Sequence, residues 1–260
     1  MKRGNFTVIE GLDCIGKGLV QESIVMFERG RGEIKRYPSD FNGFFEDYNE
    51  RFAGKNFPAG KYLLQCSEPT NFGIGMAIRK EIIANNDRRY SPEAKIQAYS
   101  LDRLVLMRRC IIPFLEHGQD VVESRNFAST LCYQSLEALK EGGAIEDVRK
   151  RILEHEGSKI ELEYAPNLLI ISTIKDVSEL IRRLQEREKK DDCEFENLEF
   201  QRELKPFYEN PWLKELFEAH GTRVVYLDAG VSIEGTQKQA VEVYSDFYDK
   251  GIVQERFQSP

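Results

Sequence analysis

The stretch Gly11-Leu12-Asp13-Cys14-Ile15-Gly16-Lys17-Gly18 carries residues spaced to hold a polyphosphate. It follows the strand-like run Phe6-Thr7-Val8-Ile9-Glu10 and precedes a helical pattern. In that setting a G-x-x-x-x-G-K loop wraps a phosphate chain with successive backbone N–H groups at a helix N-terminus. Lys17 adds a point charge for the outer phosphates. The residues that would touch a donor nucleotide are Gly11, Cys14, Ile15, Gly16, Lys17, Gly18 and Leu19. One position departs from the usual pattern. The residue after the lysine is Gly18, where a Ser or Thr hydroxyl ordinarily ligates Mg²⁺. A glycine-rich turn that happens to hold a lysine is the plainer reading, and the strand before it and helix after it argue for nucleotide binding instead.

Two further pairs have helical spacing. Tyr99 and Arg103 lie four residues apart on one expected helix face, as do Arg183 and Arg187. An aromatic ring can stack on a base while a guanidinium donates to its edge. Taken alone, such an aromatic more often packs in a core, and such arginines pair with acids such as Glu179 and Asp191.

These residues need a scaffold, and the chain's alternation supplies one. Short runs rich in Val, Ile and Leu recur near Phe6–Glu10, Tyr62–Cys66, Asp120–Glu123, Leu168–Ser172 and Arg223–Leu227. Helical patterns follow each, at about 17–29, 73–86 with 92–117, 126–140 with 144–156, 176–188 with 194–219, and 232–249. That alternation predicts an α/β fold, a five-stranded parallel sheet with helices on both faces. The stretch 30–60 interrupts it, bracketed by Gly30-Arg31-Gly32 and Pro58-Ala59-Gly60. It reads as a surface excursion or dimer contact within one domain spanning 1–260, with a short amphipathic helix at Asn42–Phe52. The charged run Glu186–Glu194 is a candidate for mobility, or else a solvated helix end.

Bulk properties narrow the classes. The chain has 260 residues, 41% hydrophobic and 31% charged, with a net charge of −7. That balance argues against a nucleic-acid binder working through a basic face. No apolar run reaches membrane-spanning length, and the start lacks a secretory signal's apolar stretch. Cys14, Cys66, Cys110, Cys132 and Cys193 are scattered and form no C-x-x-C pair, which fits free thiols in a reducing cytoplasm rather than a zinc site.

Six segments in register resemble the thymidylate kinases, a group of P-loop nucleoside-monophosphate kinases. They are the phosphate loop with Asp13; Ser67-Glu68-Pro69-Thr70 followed by Gly73-Ile74-Gly75 and Ile78-Arg79; and Tyr99-Ser100-Leu101-Asp102-Arg103. Then come Val121-Val122-Glu123-Ser124-Arg125 with Ser129, Thr130, Tyr133 and Gln134; Arg183-Leu184-Gln185-Glu186-Arg187; and Leu227-Asp228-Ala229 with Ile233-Glu234. The resemblance implies a three-layer P-loop kinase fold with a mobile lid at about 186–196. It implies ATP as phosphoryl donor, Mg²⁺, a nucleotide acceptor and a homodimer formed through helices near 73–86 and 92–117. By the same resemblance Lys17, Asp13, Arg125 and Arg187 would serve the transfer, and Arg183 would join the donor site. Glu68, Tyr99, Arg103, Arg125, Thr130 and Tyr133 would bind the acceptor. Tyr99 would stack on thymine, Arg103 reach a ring carbonyl, Thr130 meet the ring N–H and Tyr133 crowd the ribose 2′ position. Arg125 would clamp the acceptor phosphate.

Three departures bear on this. Gly18 lacks the metal-ligating hydroxyl, Ser124 stands where the family carries Asp, and Ser67 occupies the usual arginine position. Glu123 could replace the carboxylate only if the strand end were bulged, against ordinary alternation. Arg36 could return a cation from the insertion. Three functions compete: a kinase converting a deoxynucleoside monophosphate, dTMP first, to the diphosphate; a deoxynucleoside kinase using Glu68 as base; and a degenerate nucleotide-binding protein of the same fold.

Overall fold

The computed structural model describes residues 3–32, 34–39, 44–52, 57–186, 195 and 197–249. Its strands are β1 (Phe6–Gly11), β2 (Ile34–Pro38), β3 (Lys61–Ser67), β4 (Asp120–Ser124), β5 (Leu168–Thr173) and β6 (Arg223–Asp228). All pair in parallel, in the order β2-β3-β4-β1-β5-β6. The central strands are sealed on both faces: Phe6, Val8, Ile9, Val121, Val122 and Leu168 through Ile171 are all buried. This is why they read as unbroken apolar runs.

The helices are α1 (Lys17–Arg31), α2 (Phe44–Phe52), α3 (Gly73–Ala77), α4 (Pro92–Leu106), α5 (Ile112–Glu116), α6 (Phe127–Lys140), α7 (Ile145–Glu154) and α8 (Glu156–Glu163), then α9 (Ser178–Glu186), α10 (Leu198–Tyr208), α11 (Pro211–Glu218) and α12 (Ile233–Tyr248). They cover both faces of the sheet. Helix α1 packs with α12, and α4 gathers α6 and α8. A π turn at Met107–Ile111 joins α4 to α5. The expected 194–219 helix is two helices, because Asn210 caps α11 with its side chain and Pro211 opens it. No helix among the described residues is long and apolar enough to cross a membrane. Cys66, Cys110 and Cys132 are buried free thiols.

The five-stranded expectation is one strand short. β2 pairs only with β3, and Tyr37 is its one buried side chain. An edge strand bearing Lys35, Arg36 and a terminal Pro38 protects its open side and leaves no apolar run to detect. The surface excursion expected at 30–60 is also corrected where the structure describes it. Phe44, Tyr48 and Phe52 recur every four residues on one face of α2 and are buried. They close on Tyr37 and Phe114: the Tyr37–Phe52 ring centroids are 4.6 Å apart and the Phe52–Phe114 centroids 5.0 Å. This segment is therefore core. Phe52→Ala should cost about 3–5 kcal/mol in a urea titration, with the midpoint lowered and the slope kept. A loss under about 0.5 kcal/mol would mean the segment is an appendage.

Candidate active site

The candidate residues converge where β1, β3 and β4 end, at the carboxyl edge of the sheet beside its topological switch point. Gly11 leaves β1 at φ 134°, and a Cβ there would lie 2.6 Å from the Ser172 carbonyl oxygen, so only glycine fits. Cys14 (φ 58°) and Gly16 (φ 99°) bend the loop back, and Gly16 caps α1 without a side-chain acceptor. The first-turn N–H groups of α1 are thereby left for an anion. Lys17 folds over the loop, donating from Nζ to the carbonyls of Gly11 (2.9 Å) and Leu12. Burial, reinforced by the charge of Arg125, lowers its ammonium pKa to about 7.

Two cavities meet at this loop. One, of about 440 Å³, is lined by Asp13, Cys14, Gly16, Lys17, Gly18 and Arg183 among others. The second, of about 120 Å³, is lined by Glu68, Tyr99, Arg103, Arg125, Thr130 and Tyr133, which are all six acceptor candidates. The two share Asp13, Glu68, Arg79 and Arg125. Gly11, Ile15 and Leu19 line neither, and the Ile15 side chain is a core anchor with no exposure.

Asp13 stands at the junction. Arg125 donates from Nη2 to its Oδ1, while the Tyr133 hydroxyl (2.8 Å) and Gln201 Nε2 (3.1 Å) donate to Oδ2. The Asp13 N–H in turn donates to Gln201 Oε1 at 2.9 Å. Burial alone would raise the Asp13 pKa, but Arg125 and Lys17 overcome it and hold the carboxyl below its ordinary range. Arg125 reaches it from a left-handed backbone (φ 69°) just past β4, its N–H anchored on the Ile9 carbonyl. Beneath, buried Glu10 accepts from the N–H groups of Asn126 (2.8 Å) and Ser129 (3.0 Å) and from the hydroxyls of Ser129 and Tyr208. This carboxylate at the α6 N-terminus fixes the helix that carries the candidates Thr130 and Tyr133.

In the smaller cavity Arg103 is 1% exposed. Its Nε and Nη2 donate to Glu68 Oε2 at 2.9 and 2.6 Å, and Nη2 also reaches Thr130 Oγ1 at 3.0 Å. Glu161 pairs with the same guanidinium at 3.0 Å. Burial pushes the Glu68 pKa up despite Arg103, and Glu161 adds to the rise. Burial likewise lifts Glu161 to about 7.

Other candidates fare differently. Arg187 and most of the lid segment lie outside the described residues. Phe195, at its end, lines the smaller cavity with its ring 5.2 Å from that of Tyr133. Arg183 donates to Glu179 (3.3 Å) and the Ala229 carbonyl (2.9 Å), and it lines the cavity beside the glycine-rich loop. Arg36 does not return a cation, because Gln65 and Glu22 hold it. β4 runs in regular register with Cys66 opposite Glu123, so Glu123 points into the core and Ser124 is left at the edge. Arg79, Gln134 and Gln201 had no assigned role. Arg79 sat in a recognisable Ile-Arg pair, while nothing local marks Gln201.

These residues do not fit a protein-held Mg²⁺. Gly18 has no ligand atom, Ser124 offers a neutral hydroxyl, both Asp13 oxygens are taken and Arg103 occupies Glu68. Among the described residues no group of three or more His, Cys, Asp or Glu could hold a metal ion.

The family model for thymidylate kinase matches residues 57–240. The chain belongs to the thymidylate kinase family. That match covers β3 through much of α12 and leaves the phosphate loop outside it. A thymidylate kinase of Leptospira borgpetersenii is 25% identical over 84% of this chain and 86% of its own. One of Parasynechococcus marenigrum is 26% identical over 50% of this chain, which spans about half, 52%, of that relative's length. The solved thymidylate kinase of Candida albicans superposes with a TM-score of 0.62 at 18% identity, covering 94% of this chain and 92% of its own. That likeness establishes the fold.

Because free Lys17 titrates near 7, it is largely neutral at pH 8.5, and a bound triphosphate should recharge it. Binding of an ATP analogue at pH 8.5 should therefore take up a proton, visible as a calorimetric enthalpy that varies with the buffer's ionisation heat. Lys17→Met should abolish that uptake.

Proposed function

We propose that this protein is an ATP-dependent kinase that converts a deoxynucleoside monophosphate, dTMP first, to the diphosphate. One observation carries the reading: the cavity holding all six acceptor candidates opens onto the phosphate-loop cavity through shared Asp13, Glu68, Arg79 and Arg125. A donor γ-phosphoryl and an acceptor phosphate placed there would face each other across cationic walls.

Phosphoryl transfer asks mainly for positioning and positive charge. The loop amides and Lys17 would hold the donor, with Arg183, and with Arg187 from a lid at about 186–196. Arg125, held by Asp13, would present its planar fork to the acceptor phosphate. An anionic phosphate oxygen needs no general base. Tyr99 would lie on the base and Tyr133 against the sugar. Mg²⁺ would arrive as part of the nucleotide complex, held by phosphate oxygens and water. In this reading the chain is a single cytoplasmic P-loop domain with its insertion at about 30–60, acting as a homodimer on nucleotides, with neither nucleic acid nor membrane as partner.

The two competing functions draw less support. A deoxynucleoside kinase would need Glu68 as a free base, yet two guanidinium N–H groups occupy one of its oxygens. A degenerate fold would have no cause to keep Lys17, Asp13 and Arg125 converged. A coupled assay with ATP and dTMP should show turnover, reduced at least about a hundredfold in Lys17→Ala. Absence of turnover with every deoxynucleoside monophosphate would overturn the reading. Open space surrounds a Cβ built at Gly18. Gly18→Thr should therefore fold normally and reach half-maximal rate at lower Mg²⁺ than the natural chain.

A further inference from the structure

The side-chain amide of Gln201 is buried and meets two other segments of the chain. Its Oε1 accepts from the Asp13 N–H at 2.9 Å, and its Nε2 donates to Asp13 Oδ2 at 3.1 Å and to the Phe195 carbonyl at 3.0 Å. These partners settle which way the amide points, because a main-chain N–H only donates, whereas a carboxylate and a carbonyl only accept. Glutamate at this position would lack the donors, and lysine would lack the acceptor. The Phe195 carbonyl also accepts from the Asn197 N–H at 2.8 Å, just ahead of α10. The Phe195 ring lies 5.1 Å from that of Phe200, and Lys95 Nζ sits 5.0 Å from its centroid.

These contacts close a circuit. Asp13, in the loop after β1, holds Gln201, and Gln201 holds the Phe195 carbonyl. The Phe195 ring packs 5.2 Å from the Tyr133 ring, and the Tyr133 hydroxyl returns to Asp13 Oδ2, the oxygen that Gln201 binds. Phe195 and Tyr133 line the smaller cavity, while Gln201 lines neither cavity and so acts through its neighbours. We propose that Gln201 is a positioning residue for phosphoryl transfer, its one amide tying the Phe195 wall of the acceptor's cavity to Asp13 in the phosphate loop. This rests on the reading of the smaller cavity as the acceptor's site. A wall hung on the loop keeps a fixed distance from it. Transfer needs that constancy, since misplacing the reacting groups by about 1 Å costs on the order of a hundredfold in rate.

The test is steady-state kinetics of the full chain with ATP and dTMP, comparing Gln201→Met, Gln201→Glu, Phe195→Ala and the double variant Phe195→Ala with Gln201→Met. Gln201→Met keeps the side chain's length and breaks all three hydrogen bonds. It should lower kcat/KM for dTMP about tenfold or more, while KM for ATP stays within about twofold, because the loop's own turn and Lys17 are untouched. Gln201→Glu keeps the volume and the acceptor oxygen but sets a carboxylate against that of Asp13, so it should lose more than Gln201→Met. Phe195→Ala should show a loss like that of Gln201→Met. The double variant should fall within about twofold of either single one, because both changes remove the same linkage. A general loosening of the fold would instead weaken ATP and dTMP alike and add to the Phe195→Ala loss, and that outcome would overturn the assignment. So would natural kcat/KM for dTMP in either Gln201 variant. A natural chain that binds no monophosphate would overturn the site reading, and this inference with it, before any variant is compared.

Discussion

The carboxylate of Asp13 is the interaction on which the site depends. It belongs to the loop after β1, yet its partners come from the β4–α6 junction and from α10, which are 112 and 188 residues away. Arg125 supplies charge, Tyr133 a hydroxyl and Gln201 an amide that also takes the Asp13 N–H. Burial works against a charged carboxylate, and it survives only because these donors surround it. The glycine-rich loop and the two cavities beside it are thus fastened at one point. Truncating any one partner would strand the others in a poorly solvated place.

The sheet makes that meeting possible. β1 lies between β4 and β5, so its loop emerges beside the ends of β3 and β4, where Glu68 and Arg125 follow. Glu10 secures the arrangement by binding N–H groups at the start of α6, which aims Thr130, Tyr133 and Gln134 along one wall. Arg103 plays the matching part on α4, ringed by Glu68, Glu161 and Thr130. Buried polar networks of this sort impose geometry more than stability. The family match covers residues 57–240, and the glycine-rich loop outside it carries Gly18 after Lys17 with its backbone turn intact.

Legibility in the sequence followed how local each cause was. The phosphate loop declared itself because strand, glycines, lysine and helix all lie within a short span. Tyr99 could be paired with Arg103 because helical spacing places them on one face, whereas Thr130 and Tyr133 were marked only by the family resemblance. β2 was invisible because an edge strand with charges and a proline has no apolar signature. The aromatic core of α2 was misplaced because amphipathic spacing gives a buried face without saying what covers it. Gln201 carried no signal, because it meets Asp13 across 188 residues.

If Asp13 mechanically joins the two subsites, occupancy of one must change affinity at the other, and by the same factor in both directions. The decisive measurement is calorimetric: the affinity for a non-hydrolysable ATP analogue with and without saturating dTMP, in the natural chain and in Asp13→Asn. A coupling factor of about fivefold or more in the natural chain, collapsing toward unity in the variant, is the predicted result. An equal factor in both proteins, whatever their separate affinities, would contradict the account.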